Sequence, residues 1–420
     1  MKVTGIIAEF NPFHRGHEYF IKETLKETGA DHIIAVLSGD FTQRGIPGLC
    51  DRHLRTLMAL RGGVDAVIEL PVMASCASAE FFASSGVFLL NASGIVTDIS
   101  FGVEYGKPED LSGIAGVLLA EPEEYRLVLK EGLRKGLSYP LARSQALKEV
   151  LPSVPKLSDI LNSPNDILAI EYLKALKRLD SPITPHPLKR YGAEYNDEKI
   201  RSVNSSALAI RKAVEKDGDL SSVKDQVPGY VFDLLSEQFN ITLPIFPRDF
   251  SALTLYSLLR ACHSEGTLTG YADISESLSD RIIKKLPDYS DLEGFTGAIK
   301  TRDMTYSRIL RCLMHVLLDM KKPEEALNES NSFIRILGFK ETASPLIKEM
   351  RKRSPIPVIS RLSDGPKLLS GKALKTFEQD LFASELYRTV IFNKFGTRLS
   401  SELSRRMTGN GGIFTLSPGL

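Results

Sequence analysis

The fold of this chain is decided close to its start, by the stretch VTGIIAEFNPFHRGH at residues 3–17. The first eight residues of that stretch are mostly apolar, which indicates a buried strand. Pro12 cannot continue a strand ladder, so the strand ends before it. The amphipathic run at 18–28 then predicts a helix. The sequence therefore places His14 and His17 at the carboxyl end of a strand, where a helix begins.

The same alternation of strand and helix continues through the first hundred residues. Strands are predicted near 3–10, 32–37, 65–70 and 97–101, and helices near 16–28, 51–61 and 78–91. Apolar runs without alternation indicate strands covered on both faces, so the predicted fold class is α/β, with a doubly wound parallel sheet. Ligands bind at the carboxyl edge of such sheets. We therefore expect Ser38-Gly39-Asp40 and Phe101-Gly102 to meet the two histidines there.

Changes in pattern along the chain predict its domains. Residues 1–219 form a nucleotide-binding domain, with a charged helical insertion at 107–161. Beyond residue 219, helical patterns dominate and strand signals are few, so 220–400 is predicted to be a mainly helical domain. Residues 401–420, rich in glycine near their middle, are predicted to be a tail.

Bulk composition excludes several classes of protein. The 420 residues carry 53 Lys and Arg against 52 Asp and Glu, so the net charge of +1 does not indicate nucleic-acid binding, and any RNA surface must be local. No apolar window is long enough for a membrane span, and the first residues do not resemble a signal peptide. The sequence predicts a cytoplasmic protein that does not bind membranes, and it leaves the oligomeric state open.

Two imidazoles at the beginning of a helix form a corner suited to phosphate. Helix N-terminal amides favour anions, and Gly16 lets a nucleotide lie close to the backbone. The alternative is that His14 and His17 only cap and decorate a surface helix. A zinc site is disfavoured because no third ligand follows at a suitable spacing, and because the cysteines are scattered singly, at Cys50, Cys76, Cys262 and Cys312.

Four ordered motifs carry a resemblance to a known family. They are FNPFHRGH at 10–17, SGDFTQRG at 38–45, VIELP at 67–71 and SPNDIL at 163–168. The chain resembles the HIGH-type nucleotidyltransferase superfamily and, within it, the bacterial tRNA(Met) cytidine acetate ligases. The resemblance implies that acetate and ATP form acetyl-adenylate with loss of pyrophosphate. It further implies that N4 of the wobble cytidine in elongator tRNA(Met) then takes the acetyl group, and that the helical domain at 220–400 binds the tRNA.

The resemblance also implies a set of site residues. His14 and His17 would be catalytic, as donors to the phosphate oxygens on which charge develops. ATP is the nucleotide, with Mg²⁺ bound mostly through its phosphates and no protein metal site. The ATP-binding residues implied are Ile7, Ala8, Glu9, Phe10, Asn11, Pro12, Phe13, His14, Arg15, Gly16, His17, Glu18, Tyr19, Phe20, Gly102, Asn165 and Arg190. By sequence alone, Asn165 is equally suited to cap a helix, and Arg190 to lie on the surface.

Two motifs depart from the superfamily pattern. Ser205-Ser206 with Arg211 stands where other members have a Ser-Ser-Thr turn and a basic residue for the β and γ phosphates, but the arginine is one residue too far along and Ala207 lacks a hydroxyl. The alternative is an ordinary serine-capped helix. Asn11 replaces an aspartate found in many nucleotidyltransferases of small molecules, which disfavours transfer to a phosphorylated metabolite.

Three groups of basic residues are candidates for RNA or phosphate. Arg44, Arg52 and Arg55 follow the second strand, and basic clusters occupy 301–311 and 348–353. In the first cluster, Arg308 and Arg311 are expected to share a helix face beside Tyr306. The alternative in each case is a solvated helix surface.

Two other functions compete with the ligase. One is a nucleotidyltransferase acting on a small phosphorylated metabolite, and the other is a non-catalytic RNA-binding protein on a nucleotide fold. The long helical region disfavours the first, since a small substrate does not need it. The intact His14, Gly16 and His17 disfavour the second.

Overall fold

A computed structural model describes residues 1–190, 205–302, 304–322, 327–403 and 414–416 of the protein. Its strands are β1 (Val3–Ala8), β2 (His32–Ser38), β3 (Ala66–Leu70), β4 (Asp98–Val103), β5 (Thr184–Lys189), β6 (Ile334–Lys340), β7 (Val358–Ile359) and β8 (Phe414–Leu416). Its α-helices are α1 (Arg15–Thr28), α2 (Arg52–Arg61), α3 (Val72–Ser75), α4 (Ala79–Ala92), α5 (Pro108–Ala120), α6 (Glu123–Arg134), α7 (Tyr139–Val150), α8 (Leu157–Asn162), α9 (Pro164–Arg178), α10 (Ala207–Asp217), α11 (Gly229–Gln238), α12 (Ser251–Glu265), α13 (Glu276–Lys285), α14 (Leu292–Ile299), α15 (Tyr306–Leu317), α16 (Ser344–Arg353), α17 (Gly365–Leu368) and α18 (Gly371–Phe395).

The strands form a mixed sheet in the order β5-β4-β1-β2-β3-β6-β7, with β8 beside β6. β1 to β5 pair in parallel, which confirms the predicted doubly wound α/β sheet. β6 is antiparallel to β3, and the sequence analysis did not predict it. The later half of the chain therefore extends the sheet of the first half, because β6 occupies the edge that β3 would otherwise expose.

Both faces of the sheet are covered by helices. One face packs against α4 and α9, with a core that includes Val36, Ile68, Leu89 and Ala169. The other packs against α2, α10 and α11, with a core that includes Leu37, Val67, Leu60, Ile210 and Val231. Consecutive side chains of β2 and β3 thus pack into the cores on opposite faces of the sheet, and for that reason the sequences of these strands are unbroken apolar runs.

A further core lies among α12 to α15 and α18, and it extends to Phe41 in the loop after β2 and to Val72 at the beginning of α3. Helices α5 to α8 occupy most of 107–161, while the insertion and the division at residue 219 remain predictions. At the start of the predicted tail, Glu402 is buried, and Phe414–Leu416 pairs with β6. The rest of that range, 404–413 and 417–420, lies outside the described residues.

None of the helices in the described ranges combines the length and the apolar character that crossing a membrane would require.

Candidate functional site

The two histidines are held by the backbone at the beginning of α1. His14 is the N-cap, with φ −140° and ψ 173°, and its Nδ1 accepts a hydrogen bond from Gly16 N at 3.1 Å. His17 Nδ1 accepts from His14 N at 3.2 Å. The two rings stack with their centroids 3.7 Å apart. One ring nitrogen of His14 therefore caps the helix, and the same ring also lines the pocket described below, so the capping contact does not exclude a role in the site.

These contacts determine where the imidazole protons are. A neutral histidine carries one N–H, and since each Nδ1 accepts a backbone hydrogen bond, the proton of each ring is assigned to Nε2. Burial, aided by the nearby Arg190 charge, lowers the pKa of His14 to about 3. Burial, followed by the His14 and Arg190 charges, holds the pKa of His17 well below its usual value. The pair therefore presents two neutral N–H donors.

A pocket opens at the carboxyl edge of β1, β4 and β5. Of the predicted residues, those that line it are Ile7, Ala8, Glu9, Phe10, Asn11, His14, Gly16, His17, Tyr19, Phe20, Gly102, Asn165 and Arg190. Pro12, Phe13, Arg15 and Glu18 are not among its lining residues. Phe13 is fully buried in the core beneath the turn, and Arg15 Nε donates to Asp225 O at 2.7 Å. Phe13 and Arg15 therefore anchor the turn from outside the pocket, and Glu18 lies 3.7 Å from Lys22 Nζ on the same helix.

Residues from β4, α9 and β5 form one wall. Arg190 N donates to Val103 O at 2.9 Å, and Arg190 Nη1 donates to Asn165 Oδ1 at 3.4 Å. A Cβ at Gly102 would lie 2.9 Å from Arg190 Cγ, so a larger residue would displace that arginine. Ser163 caps α9, which removes the capping alternative for Asn165. Asn165 instead links Glu104 to Arg190 across the wall.

Arg211 reaches the opposite side of the pocket from α10. It is 6% exposed, and its Nη1 donates to Asn11 Oδ1 at 2.9 Å. Asn11 Oδ1 also accepts from Leu49 N at 2.7 Å. In the part of the chain that the structure describes, no carboxylate lies within ion-pair distance of Arg211, and burial lowers its pKa to about 10. Ser206 caps α10 and lines the pocket, so the departure from the superfamily spacing still brings both residues to the site.

Two of the three arginines after β2 are unavailable to RNA. Arg52 is 1% exposed and lies 2.9 Å from Glu69 Oε1. Arg55 is fully buried and donates to the backbone oxygens of Cys50, Glu9, Ser38 and Gly39. Arg44 lines the pocket. The expectation of a shared Arg308 and Arg311 surface is also wrong, because Arg311 is buried and bonds Asp273 at 3.0 Å.

Several lining residues were missed by sequence reasoning. Gln43 and Ile46 lie a few residues beyond the expected Ser38-Gly39-Asp40, whose Asp40 contacts Arg52 instead of the pocket. An apolar wall of the pocket was also missed, and only its Phe101 had been expected there. The wall consists of Phe82, Phe101, Leu168, Tyr172 and Leu188. The motif at 38–45 signals the loop. The wall has no separate signal, because its residues follow the same helix and strand periodicity as the core.

The residues that the structure describes contain no group of three or more His, Cys, Asp or Glu side chains able to hold a metal ion.

Comparisons with known proteins match nearly the whole chain. The family model for HIGH Nucleotidyl Transferase matches residues 1–402. A tRNA(Met) cytidine acetate ligase of Caldanaerobacter subterraneus is 38% identical over 396 residues, or 94% of this chain and 96% of the relative. One from Clostridium novyi is 39% identical over 372 residues, or 88% of this chain and 92% of the relative.

Solved structures from Thermotoga maritima are similar over the same length. The apo crystal structure of its TmcAL has a TM-score of 0.90 and 31% identity, covering 99% of this chain and 100% of the other. A second crystal structure of that protein, bound with alpha-thio ATP, has a TM-score of 0.88.

Proposed function

This chain belongs to the HIGH Nucleotidyl Transferase family and, within it, to the tRNA(Met) cytidine acetate ligases, and from that membership we propose how its pocket works. The protein is an ATP-dependent ligase that joins acetate to a cytidine of tRNA(Met). Acetate first attacks the α-phosphorus of ATP to give acetyl-adenylate and pyrophosphate. N4 of the wobble cytidine in elongator tRNA(Met) then attacks the acetyl carbon and releases AMP.

The observation that carries the site assignment is the stacked His14 and His17 pair, with both Nδ1 atoms occupied by backbone N–H groups. Both Nε2–H groups are then free of the cap and able to donate to phosphate oxygens. Charge builds on those oxygens as acetate attacks, so preorganised donors stabilise the transition state more than the bound ATP. Neutral donors are suited to this task because their protonation does not change near neutral pH.

The remaining pocket residues position the nucleotide. Arg190, Asn165 and Gly102 form the wall that we assign to ATP, and Arg211 with Ser206 faces them as the phosphate-binding side. The buried guanidinium of Arg211 supports that assignment, since an anion would supply the charge partner that Arg211 lacks among the described residues. Mg²⁺ would neutralise the phosphates and be held mainly by their oxygens. No step here depends on it.

The tRNA surface is assigned to the later, helical half of the chain. The last two turns of α16 expose four basic residues, Lys348, Arg351, Lys352 and Arg353. Because Arg311 is buried, this is the most concentrated basic patch among the predicted RNA candidates. Such a patch supplies the sequence-independent contacts to phosphate that position an RNA. A tRNA substrate also supports a cytoplasmic location.

The test is to incubate the protein with ATP, labelled acetate and total tRNA, and then to digest the tRNA and identify the labelled nucleoside. N4-acetylcytidine is expected from elongator tRNA(Met) alone. Label transfer to a small phosphorylated metabolite instead would favour the competing nucleotidyltransferase. tRNA binding without ATP consumption would favour the non-catalytic alternative.

A further inference from the structure

The second half of the proposed reaction needs a proton acceptor. The N4 amine of cytidine is a weak nucleophile because its lone pair is delocalised into the ring, and it must lose a proton as the amide forms. AMP leaves as a phosphate, which needs no proton. A group near the acetyl carbon that accepts a proton from nitrogen would therefore accelerate this step, and such general bases contribute roughly 10²- to 10⁴-fold.

The two histidines are poorly suited to that task. Each Nδ1 already accepts a backbone hydrogen bond, and each Nε2 carries the proton of the neutral ring. Burial, with the Arg190 charge, lowers the pKa of His14 to about 3, so the ring resists a second proton. His14 and His17 are therefore donors in this site rather than acceptors.

Two carboxylates line the pocket among the described residues, Glu9 and Glu23. Glu23 is on the third turn of α1, with Lys26 Nζ 3.8 Å from its Oε2. Glu9 follows directly on the last residue of β1, at the carboxyl edge of the sheet. Its Oε1 accepts from Gln43 N at 2.8 Å, and within the described residues Oε2 has no hydrogen-bond or ion-pair partner. Glu9 thus has one oxygen anchored and the other available.

We propose that Glu9 is the general base of acetyl transfer. As N4 forms its bond to the acetyl carbon, the C–O bond to AMP breaks and its electron pair leaves with AMP, while the N4 proton passes to Glu9 Oε2 and then to water. This inference rests on the proposed function, because it concerns the second step of the same reaction. Step one needs no such base, since acetate attacks as an anion.

The surroundings of Glu9 suit a base. Burial raises its pKa, while the Gln43 N–H and then the Arg44, Arg55 and Arg211 charges oppose that rise. These arginines come from the loop after β2, from α2 and from α10. A carboxylate made more basic by burial takes a proton more readily, and the arginines keep it ionised in part.

The experiment separates the two steps. Acetate-dependent exchange of labelled pyrophosphate into ATP measures activation, and single-turnover transfer of labelled acetyl from the preformed adenylate to tRNA measures the second step. Glu9→Gln keeps an oxygen that can accept from Gln43 N. It is expected to lose transfer by roughly 10²- to 10⁴-fold, and its loss of exchange should be at least about tenfold smaller than its loss of transfer. Glu23→Gln is the matched comparison at the other carboxylate and is expected to lose less than about tenfold.

A pH profile and a second variant complete the test. Transfer by the wild-type protein should rise with pH as Glu9 ionises, and that rise should be absent in Glu9→Gln. Glu9→Asp keeps a shorter base and should recover part of the transfer. Equal loss of exchange and transfer in both Glu9 variants would overturn the proposal in favour of a structural role, and wild-type transfer by Glu9→Gln would place the base elsewhere. Absence of exchange in the wild-type protein would instead contradict the proposed function itself.

Discussion

Two buried arginines, Arg52 and Arg211, differ in how their positive charge is compensated. Arg52 lies 2.9 Å from Glu69 Oε1 and 2.8 Å from Glu402 Oε2, within a buried ion cluster that also contains Asp40 and Arg335. Arg211, at the pocket, is bonded to an uncharged amide oxygen. The ion cluster neutralises its own charges, whereas the pocket holds a guanidinium that no carboxylate in the described ranges neutralises.

The pKa values express the same contrast. Burial opposes charge at Arg52, but Glu402, Glu69 and Asp40 together raise its pKa well above the usual value. At Arg211, burial prevails and lowers the pKa to about 10. Burial of charge alone therefore does not mark a functional site. A buried cation that also lines a pocket, as Arg211 does, and has no carboxylate partner among the described residues supports the proposal of an anion site there.

The largest effect is expected from breaking the ion cluster. Arg52→Met leaves Glu69 and Glu402 without the cation they share, and should lower the free energy of unfolding by about 3–5 kcal/mol. Urea denaturation measures the change. Arg61→Met is the matched control, because Arg61 is exposed at the end of the same helix and should change stability by less than about 0.5 kcal/mol. If Arg52→Met lowered the free energy of unfolding by less than about 1 kcal/mol, the ion cluster would not stabilise the fold as the comparison with Arg211 requires.

Removing a donor from the pocket should affect catalysis instead. His17→Ala is expected to lower kcat by about 10²- to 10³-fold, because the Nε2–H donor to the transferred phosphate is lost. Its unfolding free energy should fall by only about 1 kcal/mol, the usual effect of removing a helix cap. His14→Ala should behave similarly. Steady-state kinetics and thermal unfolding measure both properties, and near-normal turnover would remove the histidines from the mechanism.

The depressed histidine pKa values predict a dependence of stability on pH. The unfolded chain protonates His14 near pH 6.5, whereas the folded protein does so only near pH 3. The contribution of neutral His14 to the free energy of unfolding is therefore complete above pH 6.5 and is lost as the pH falls from 6.5 towards 3. Between pH 7 and pH 5, the wild-type protein should lose about 2 kcal/mol more than His14→Asn, which keeps a cap oxygen. Parallel losses would show that His14 is protonated in the folded state.

Arg211→Met is the counterpart of Arg52→Met and sharpens the comparison directly. It removes a buried cation without leaving a carboxylate unpaired, so the free energy of unfolding should change by no more than about 1 kcal/mol. The loss of the guanidinium that faces the phosphates should raise KM for ATP by about tenfold, or about 1.4 kcal/mol. Destabilisation as large as that of Arg52→Met would mean that Arg211 is a structural residue like Arg52.

The smallest effect is expected at the α16 patch. Replacing Lys348 and Lys352 together with glutamine should weaken tRNA binding and reduce the log–log salt slope by about 0.7–0.9 for each phosphate that is no longer neutralised. Acetate-dependent pyrophosphate exchange should stay at the wild-type rate. Lys130 and Arg134, which are equally exposed and equally spaced on α6, provide the control pair. An unchanged slope in the α16 variant, with a change in the α6 variant, would move the RNA surface to the insertion.

The early strands and helices were predictable because each is encoded within a short window. The apolar run before Pro12 determines where β1 ends, and the amphipathic run after it gives α1. β6 escaped prediction because a single edge strand within helical sequence has no repeating pattern around it, and its identity depends on pairing with β3. The position of Gly102 beside the histidines followed from the rule for sheet edges, whereas Asn165 was implied only by the family resemblance, and the hydrogen bonds of Asn165 were not predicted.

Sequence by itself determined the class of this protein and the chemistry at its first turn: an α/β sheet, two histidines at a helix beginning, and a resemblance that names the reaction. Tertiary structure alone decided which charges serve the fold and which serve the ligand. Arg52, Arg211 and Arg311 each lie in a helix, and nothing in the local sequence distinguishes their roles. Their roles differ because Glu402 and Asp273 reach two of them from distant parts of the chain, and no described carboxylate reaches the third. Pairing across such separations depends on packing, which local sequence does not encode.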